Sequence, residues 1–213
     1  MTAEGARSFL LLLGGGGHCA VVAESALRRG PVTLAFAASQ EPEDLCARHA
    51  ARFVGDVESA AVREAVRAGA RVHAAVGDNA LRVKWIAELG GAHFETIVDP
   101  SAIVSASATL GAGSFVAPRA VVNARASIAQ GCILNTGAIV EHDCVLEEGV
   151  HVSPGAVLCG AVSVGALSHI GAGAVVLPGV RIGARVRVGA GAVVTRDVES
   201  DRTVVGVPAN ARR

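Results

Sequence analysis

The sequence predicts an α/β domain built on a small parallel sheet, followed by a solenoid of stacked six-residue units. Three observations carry this. From Ile97 to Val198 the chain divides into seventeen unbroken hexads, each with Val, Ile or Leu at its second place. Before Ile97, short apolar runs alternate with longer helix-like stretches. Between the first run and the first helix stand four glycines, Gly14 to Gly17.

Taken in order, FLLL (Phe9 to Leu12) is a short buried strand and CAVVAESALRR a helix after the glycine loop. VTLAFA is a second strand, ESAAVREAVRAG a second helix, VHAAVG a third strand and LRVKWIAELGG a third helix. Such alternation predicts a parallel sheet wrapped by helices, with ligands at the carboxyl ends of its strands. A glycine loop entering a helix lets a phosphate approach backbone N–H groups at the positive end of the helix dipole. Gly15, Gly17 and Ala20 fit the dinucleotide fingerprint loosely, but four consecutive glycines fit many patterns by accident. A dinucleotide site would also need an acidic residue after the second strand, where this chain has Phe36, Ala37, Ala38 and Ser39. A nicotinamide cofactor is therefore not expected. His18, directly after the loop, reads equally as a ligand contact or as a helix-start residue.

A strict period of six is neither helical nor a simple strand alternation, so the hexads are expected to stack as coils. The aliphatic second place and the small sixth place should point inward, each forming a ladder between coils. Glycine and asparagine at the third place suit a corner needing unusual backbone angles. Three units per coil give between five and six coils.

Three histidines interrupt this pattern. His142 holds the fourth place of IVEHDC, an outward corner, between Glu141 and Asp143. His151 and His169 hold the first place of units eighteen residues apart, so they should stack one coil above the other. An imidazole beside a carboxylate is the usual general-base arrangement, because the carboxylate fixes the tautomer and stabilises the charged ring. The bland alternative for His142 is an exposed corner without chemistry. His142 and His151 are nine residues apart, and could flank one groove if neighbouring subunits pack around it. Prism-shaped proteins that hold zinc between subunits resemble the gamma-class carbonic anhydrases, whose ligand histidines lie closer together than the nine and eighteen residues found here, so no metal is expected.

The 213 residues leave room for one small domain beside the solenoid. Nineteen basic and nineteen acidic residues balance, which gives no electrostatic footprint for nucleic acid or membrane. Phe9 to Leu13 is too short to span a bilayer, and the expected compartment is the cytoplasm. Five cysteines without CxxC spacing read as reduced, packed thiols. Arg181, Arg185 and Arg187 could meet phosphates, although a solvated face is the simpler reading.

Hexads followed by GVPA (Gly206 to Ala209) resemble the left-handed parallel β-helix acyltransferases. More narrowly, GGGGH in the first loop, VGDNALR after the third strand, and LNTGAIVEHDC with HVSPGA following it resemble nucleotide-sugar acetyltransferases. These include bacillosamine and perosamine N-acetyltransferases and sialic acid O-acetyltransferases. The resemblance implies a Rossmann-like nucleotide-sugar-binding domain over residues 1–96. It implies a left-handed β-helix acyltransferase domain with a C-terminal tail over residues 97–213. It makes His142 the general base and Asp143 the residue that orients it. His151 would lie by the thioester end of acetyl-CoA, the Gly160 amide would bind the thioester oxygen, and Asn135 would stand beside the sugar. Gly16, Gly17, His18 and Gly77 would hold the nucleotide diphosphate and base. A homotrimer with the coenzyme in a groove between subunits is also implied. Ala37 and Ala38 stand where several relatives carry acidic residues, which leaves the nucleotide open.

The function expected is acetyl transfer from acetyl-CoA to the amine of a nucleotide-linked amino sugar. O-acetylation of a sugar hydroxyl of the sialic-acid type is the first alternative. A non-catalytic nucleotide-binding scaffold and a metal enzyme like the gamma-class carbonic anhydrases are more remote.

Overall fold

The computed structural model describes residues 9–211. Four parallel strands, β1 (Phe9–Leu13), β2 (Thr33–Ala37), β3 (Arg52–Gly55) and β4 (Arg71–Ala74), form a sheet in the order β3-β2-β1-β4. All five residues of β1 are buried, as an apolar run at the centre of a parallel sheet must be. Four helices wrap it: α1 (Gly17–Arg28), α2 (Glu43–Arg48), α3 (Ala60–Arg67) and α4 (Asn79–Leu89).

The sequence reading expected three strands here. β3 and α2 were missed because β3 is a four-residue edge strand with no fully buried position, so it shows neither a long apolar run nor a clean alternation. Helix starts follow local chemistry. The Ser59 hydroxyl accepts from the Val62 N–H at the start of α3, and Asp78 Oδ1 accepts from the Leu81 N–H at 2.8 Å at the start of α4. α1 begins differently, at Gly16, with no side-chain cap.

From Ile97 each hexad contributes a two-residue strand at its first and second places, paired in parallel with the unit eighteen residues on until the last coil, where Arg187 pairs instead with Thr203. The result is a left-handed parallel β-helix of triangular section. The second and sixth places point inward as expected: Val116, Val140, Leu158, Cys132, Cys144 and Ala156 are among the fully buried residues of one continuous core. Each fully buried aliphatic side chain contributes roughly 1.5–3 kcal/mol.

The first places face outward and give each side its character. A polar side carries Thr109, Ser127, Val145, Ser163 and Arg181. A histidine side carries Phe115, Ile133, His151, His169 and Arg187. An aliphatic side carries Ile103, Val121, Ile139, Val157, Val175 and Val193.

The expectation for the third place is corrected. Left-handed φ occurs at the fifth place, including Gly131 (64°), Gly149 (66°), Arg125 (61°) and Asp143 (61°). Third-place glycine answers a different need. A Cβ on Gly171 would stand 2.6 Å from the Ala190 backbone nitrogen, and one on Gly165 2.5 Å from that of Ala184. There glycine admits the backbone of the next coil.

The first domain packs on the histidine side. Ile97, Phe115 and Ile133 join a core with Leu10, Leu12, Cys19 and Val22. α4 lies along the corner between the polar and histidine sides, where a Cβ on Gly149 would come within 2.6 Å of Val83 and one on Gly131 within 2.8 Å of Ile86. Among the described residues, no helix is long and apolar enough to cross a membrane.

Candidate active site

Two corners of the solenoid carry the polar residues singled out by sequence. Where the chain turns from the aliphatic to the polar side, His142 Nδ1 donates to Asp143 Oδ2 at 2.7 Å. Nε2 therefore keeps the free lone pair. The side chain of His142 is 57% exposed, so it is open to a ligand and to solvent.

Gly160 occupies the same corner one coil above, and the ring lies against it. A Cβ there would sit 2.6 Å from His142 Cε1 and 2.7 Å from Nε2. Glycine is thus required for the imidazole to occupy this place. Asp143 also accepts two hydrogen bonds from Arg125, Nε to Oδ1 at 2.7 Å and Nη2 to Oδ2 at 2.8 Å. The Arg125 bonds first, then the one from His142, hold the Asp143 carboxyl below the usual carboxylate range.

On the histidine side the same residue type meets the opposite environment. His151 is 8% exposed. Burial, then the charges of His169, Arg82 and His18, push it down to about 3. Its ring is edge-on to His169 at 4.8 Å, as the eighteen-residue spacing predicts. The Asn135 amide donates to His151 Nε2 at 3.1 Å, which leaves the proton on Nδ1. Nδ1 has no hydrogen-bond partner among the described residues, and neither has the buried Nε2 of His18. His18 packs edge-on against Phe115 at 5.6 Å and is pushed down to about 4, chiefly by burial. His169 is lowered by burial, then by Arg187 and Arg82.

Above this cluster the glycine loop and the Gly77 segment leave the carboxyl ends of adjacent strands β1 and β4. The sheet order reverses there, the place where open parallel sheets bind ligands. Gly16, Gly17 and Gly77 share a property that no other described glycine has. None needs a left-handed φ, and a Cβ on each would meet nothing within 4 Å. Nothing within the chain calls for glycine at these positions.

The structure gathers Gly77, His18, His151 and Asn135 toward the histidine side, and His142, Asp143 and Gly160 at the other corner. The aliphatic side separates the two groups within one chain, a span of at most ~20 Å for six extended residues.

The chain's likenesses match this geometry. Residues 9–89 match the PglD N-terminal domain, and residues 161–196 the bacterial transferase hexapeptide (six repeats). The acetyltransferase domain of PglB from Neisseria gonorrhoeae is 34% identical, with a TM-score of 0.86 over 97% of this chain and 100% of that one. The chain belongs to the hexapeptide-repeat nucleotide-sugar acetyltransferases. PerB from Caulobacter crescentus, solved with CoA and GDP-perosamine, is 36% identical with a TM-score of 0.85, covering 96% of this acetyltransferase and 97% of PerB. The PglB domain has also been solved with acetyl coenzyme A, at 33% identity, a TM-score of 0.85 and coverage of 97% and 100%. No curated protein matches in sequence.

Two residues of the acetyltransferase site region escaped the sequence reading. Arg82 on α4 is fully buried and donates to the carbonyls of Gly131 (2.6 Å), Gly149 (2.9 Å) and Val76 (3.0 Å), and to Asn79 Oδ1 (2.8 Å). Burial lowers it to about 10, so it remains a cation. Arg125 is the second, and its spacing was a usable signal: it stands eighteen residues before Asp143, in the same place one coil down. Of the arginines considered for phosphates, Arg181 pairs with Asp197 and Arg185 with Asp201. Arg185 and Arg187 border a cleft of about 390 Å³ with His169 and the amino end of α4. Among the described residues, no three His, Cys, Asp or Glu side chains converge as a metal site.

Proposed function

We propose that this chain transfers the acetyl group of acetyl-CoA to the amine of a nucleotide-linked amino sugar, with His142 as general base and Asp143 orienting it. The observation that carries this is the Asp143-fixed imidazole lying against Gly160, with Nε2 available. The amine nitrogen attacks the thioester carbonyl carbon, forming the C–N bond. His142 Nε2 accepts the amine proton, and the Gly160 N–H donates to the oxyanion. Collapse breaks the C–S bond, and the coenzyme thiolate takes the proton back from the imidazolium. A positioned base contributes about 10²- to 10⁴-fold, and one oxyanion donor about 3–4 kcal/mol.

His151 lies by the thioester end of the coenzyme, and Asn135 beside the sugar. Gly16, Gly17, His18 and Gly77 hold the nucleotide. Open space at all three glycines supports this, because a diphosphate lying on the backbone would exclude a side chain. Residues 1–96 then bind the nucleotide sugar and residues 97–213 carry the acyl chemistry. The ligands of the Caulobacter and Neisseria relatives support the substrate classes.

The working unit is a homotrimer. Its aliphatic side, with Ile103 65% exposed, packs against copies of itself. That packing brings one subunit's His142 corner to its neighbour's Asn135 and His151.

Thiol release from acetyl-CoA in the presence of GDP- or UDP-linked amino sugars tests the reaction. Turnover is expected only with an amino sugar, and His142→Ala should lower it by about 10²- to 10⁴-fold with unchanged circular dichroism. Wild-type turnover in that variant would remove His142 from the mechanism. Mixing inactive His142→Ala with inactive Asn135→Ala subunits should restore part of the activity. Failure to restore it in mixed oligomers would argue against a shared site.

A further inference from the structure

We propose that Arg125 is a positioning residue for acetyl transfer, holding the Asp143 carboxylate in the orientation that serves the His142 imidazole. The inference rests on the reading of His142 as general base. Its geometry is a connected climb up one corner of the solenoid. The Arg125 N–H donates to Ser107 Oγ at 3.1 Å, one coil below. The guanidinium then grips both Asp143 oxygens, at 2.7 and 2.8 Å. Asp143 in turn accepts from His142 Nδ1 at 2.7 Å.

Why this grip matters follows from exposure. His142 is more than half exposed, and Gly160 supports only one of its faces. Its orientation therefore depends on the carboxylate, and a carboxylate with one partner can swing. A planar two-point grip from arginine removes that freedom, which the point charge of lysine cannot do. Arg125 and Asp143 both hold left-handed φ near 61° at the fifth place of successive coils, so the stacking of the coils aligns the two side chains. As an exposed ion pair it contributes little to folding, and its loss should register in kinetics.

Arg125 is the cation that shares the Asp143 carboxylate with the imidazole. Removing it should misalign the ring.

The test compares Arg125→Met, Arg125→Lys and His142→Ala in steady-state kinetics. Arg125→Met should lose about tenfold in kcat through misplacement of the base, with KM for both substrates near wild type. Arg125→Lys should recover only part of kcat, because a point charge cannot supply the two-point grip. In a His142→Ala background, Arg125→Met should cost nothing more, because the two residues act as a unit.

A further loss in that background would overturn the proposal. So would wild-type kcat in Arg125→Met while His142→Ala is inactive, a result that leaves the base itself standing. An active His142→Ala would instead remove the base reading. Should Arg125→Met fail to fold, wild-type kcat in Arg125→Lys overturns the proposal by itself.

Discussion

Two histidines of one solenoid, His142 at a corner and His151 on a flat side, show how position in a repeat decides chemistry. His142 is a corner residue, open to ligand and tied to a carboxylate. His151 is a flat-side residue under the first domain, pushed down to about 3 by burial. The first is open to a ligand and to solvent. The second stays neutral at any working pH, so it can only donate or accept fixed hydrogen bonds. The difference teaches that changes on the covered side should move stability, whereas changes at the open corner should move turnover.

The sharpest way to break that division is Arg82→Met, on the covered side. Its loss leaves the Gly131 and Gly149 carbonyls without their donor, and should cost about 3–5 kcal/mol in urea unfolding. A variant of wild-type stability would show that α4 is held by its apolar contacts alone.

Acid should next probe the covered region. His73 on β4 is fully buried and pushed down from 6.5 to about 4, chiefly by desolvation. The unfolded chain therefore binds this proton first, so stability is complete above pH 6.5 and is withdrawn as pH falls toward 4. His73→Asn keeps a donor toward the Glu95 carbonyl and should remove on the order of 3 kcal/mol from the acid loss. Urea titrations at several pH values give the slope; an unchanged slope would contradict the burial argument.

At the open corner, Gly160→Ala places a methyl against the His142 ring and should lower kcat about a hundredfold while the melting temperature stays near wild type. A large fall in melting temperature with kcat intact would invert the comparison. The smallest effect is expected from Gly16→Ala. Its Cβ meets nothing in the chain, so stability should hold while KM for the nucleotide sugar rises about tenfold through lost approach of the diphosphate.

Much of this was legible in the sequence, because a period of six leaves little freedom. Inward places, the stacking of His151 on His169 and the corner position of His142 all follow from counting. The first domain's central strands were legible as apolar runs, but β3 and α2 were not, lying in a polar stretch without periodicity. Arg82 was hidden for another reason. An arginine on a helix ordinarily reads as a solvated residue, and its partners at Gly131 and Gly149 lie 49 and 67 residues away. The third-place glycines were noticed but misread, since the need they meet is the approach of the next coil, which no local pattern displays.

The eighteen-residue register also gives the chain a phase. Inserting or deleting a whole coil above His142 would lengthen or shorten the prism and leave every lower corner as it is. Removing a single hexad between His142 and Gly160 would rotate everything above by a third of a turn, carrying the glycine to a different edge from its histidine. Length variation in such a molecule is thus quantised: changes in whole coils adjust its height, and any other change dismantles the alignment between neighbouring turns.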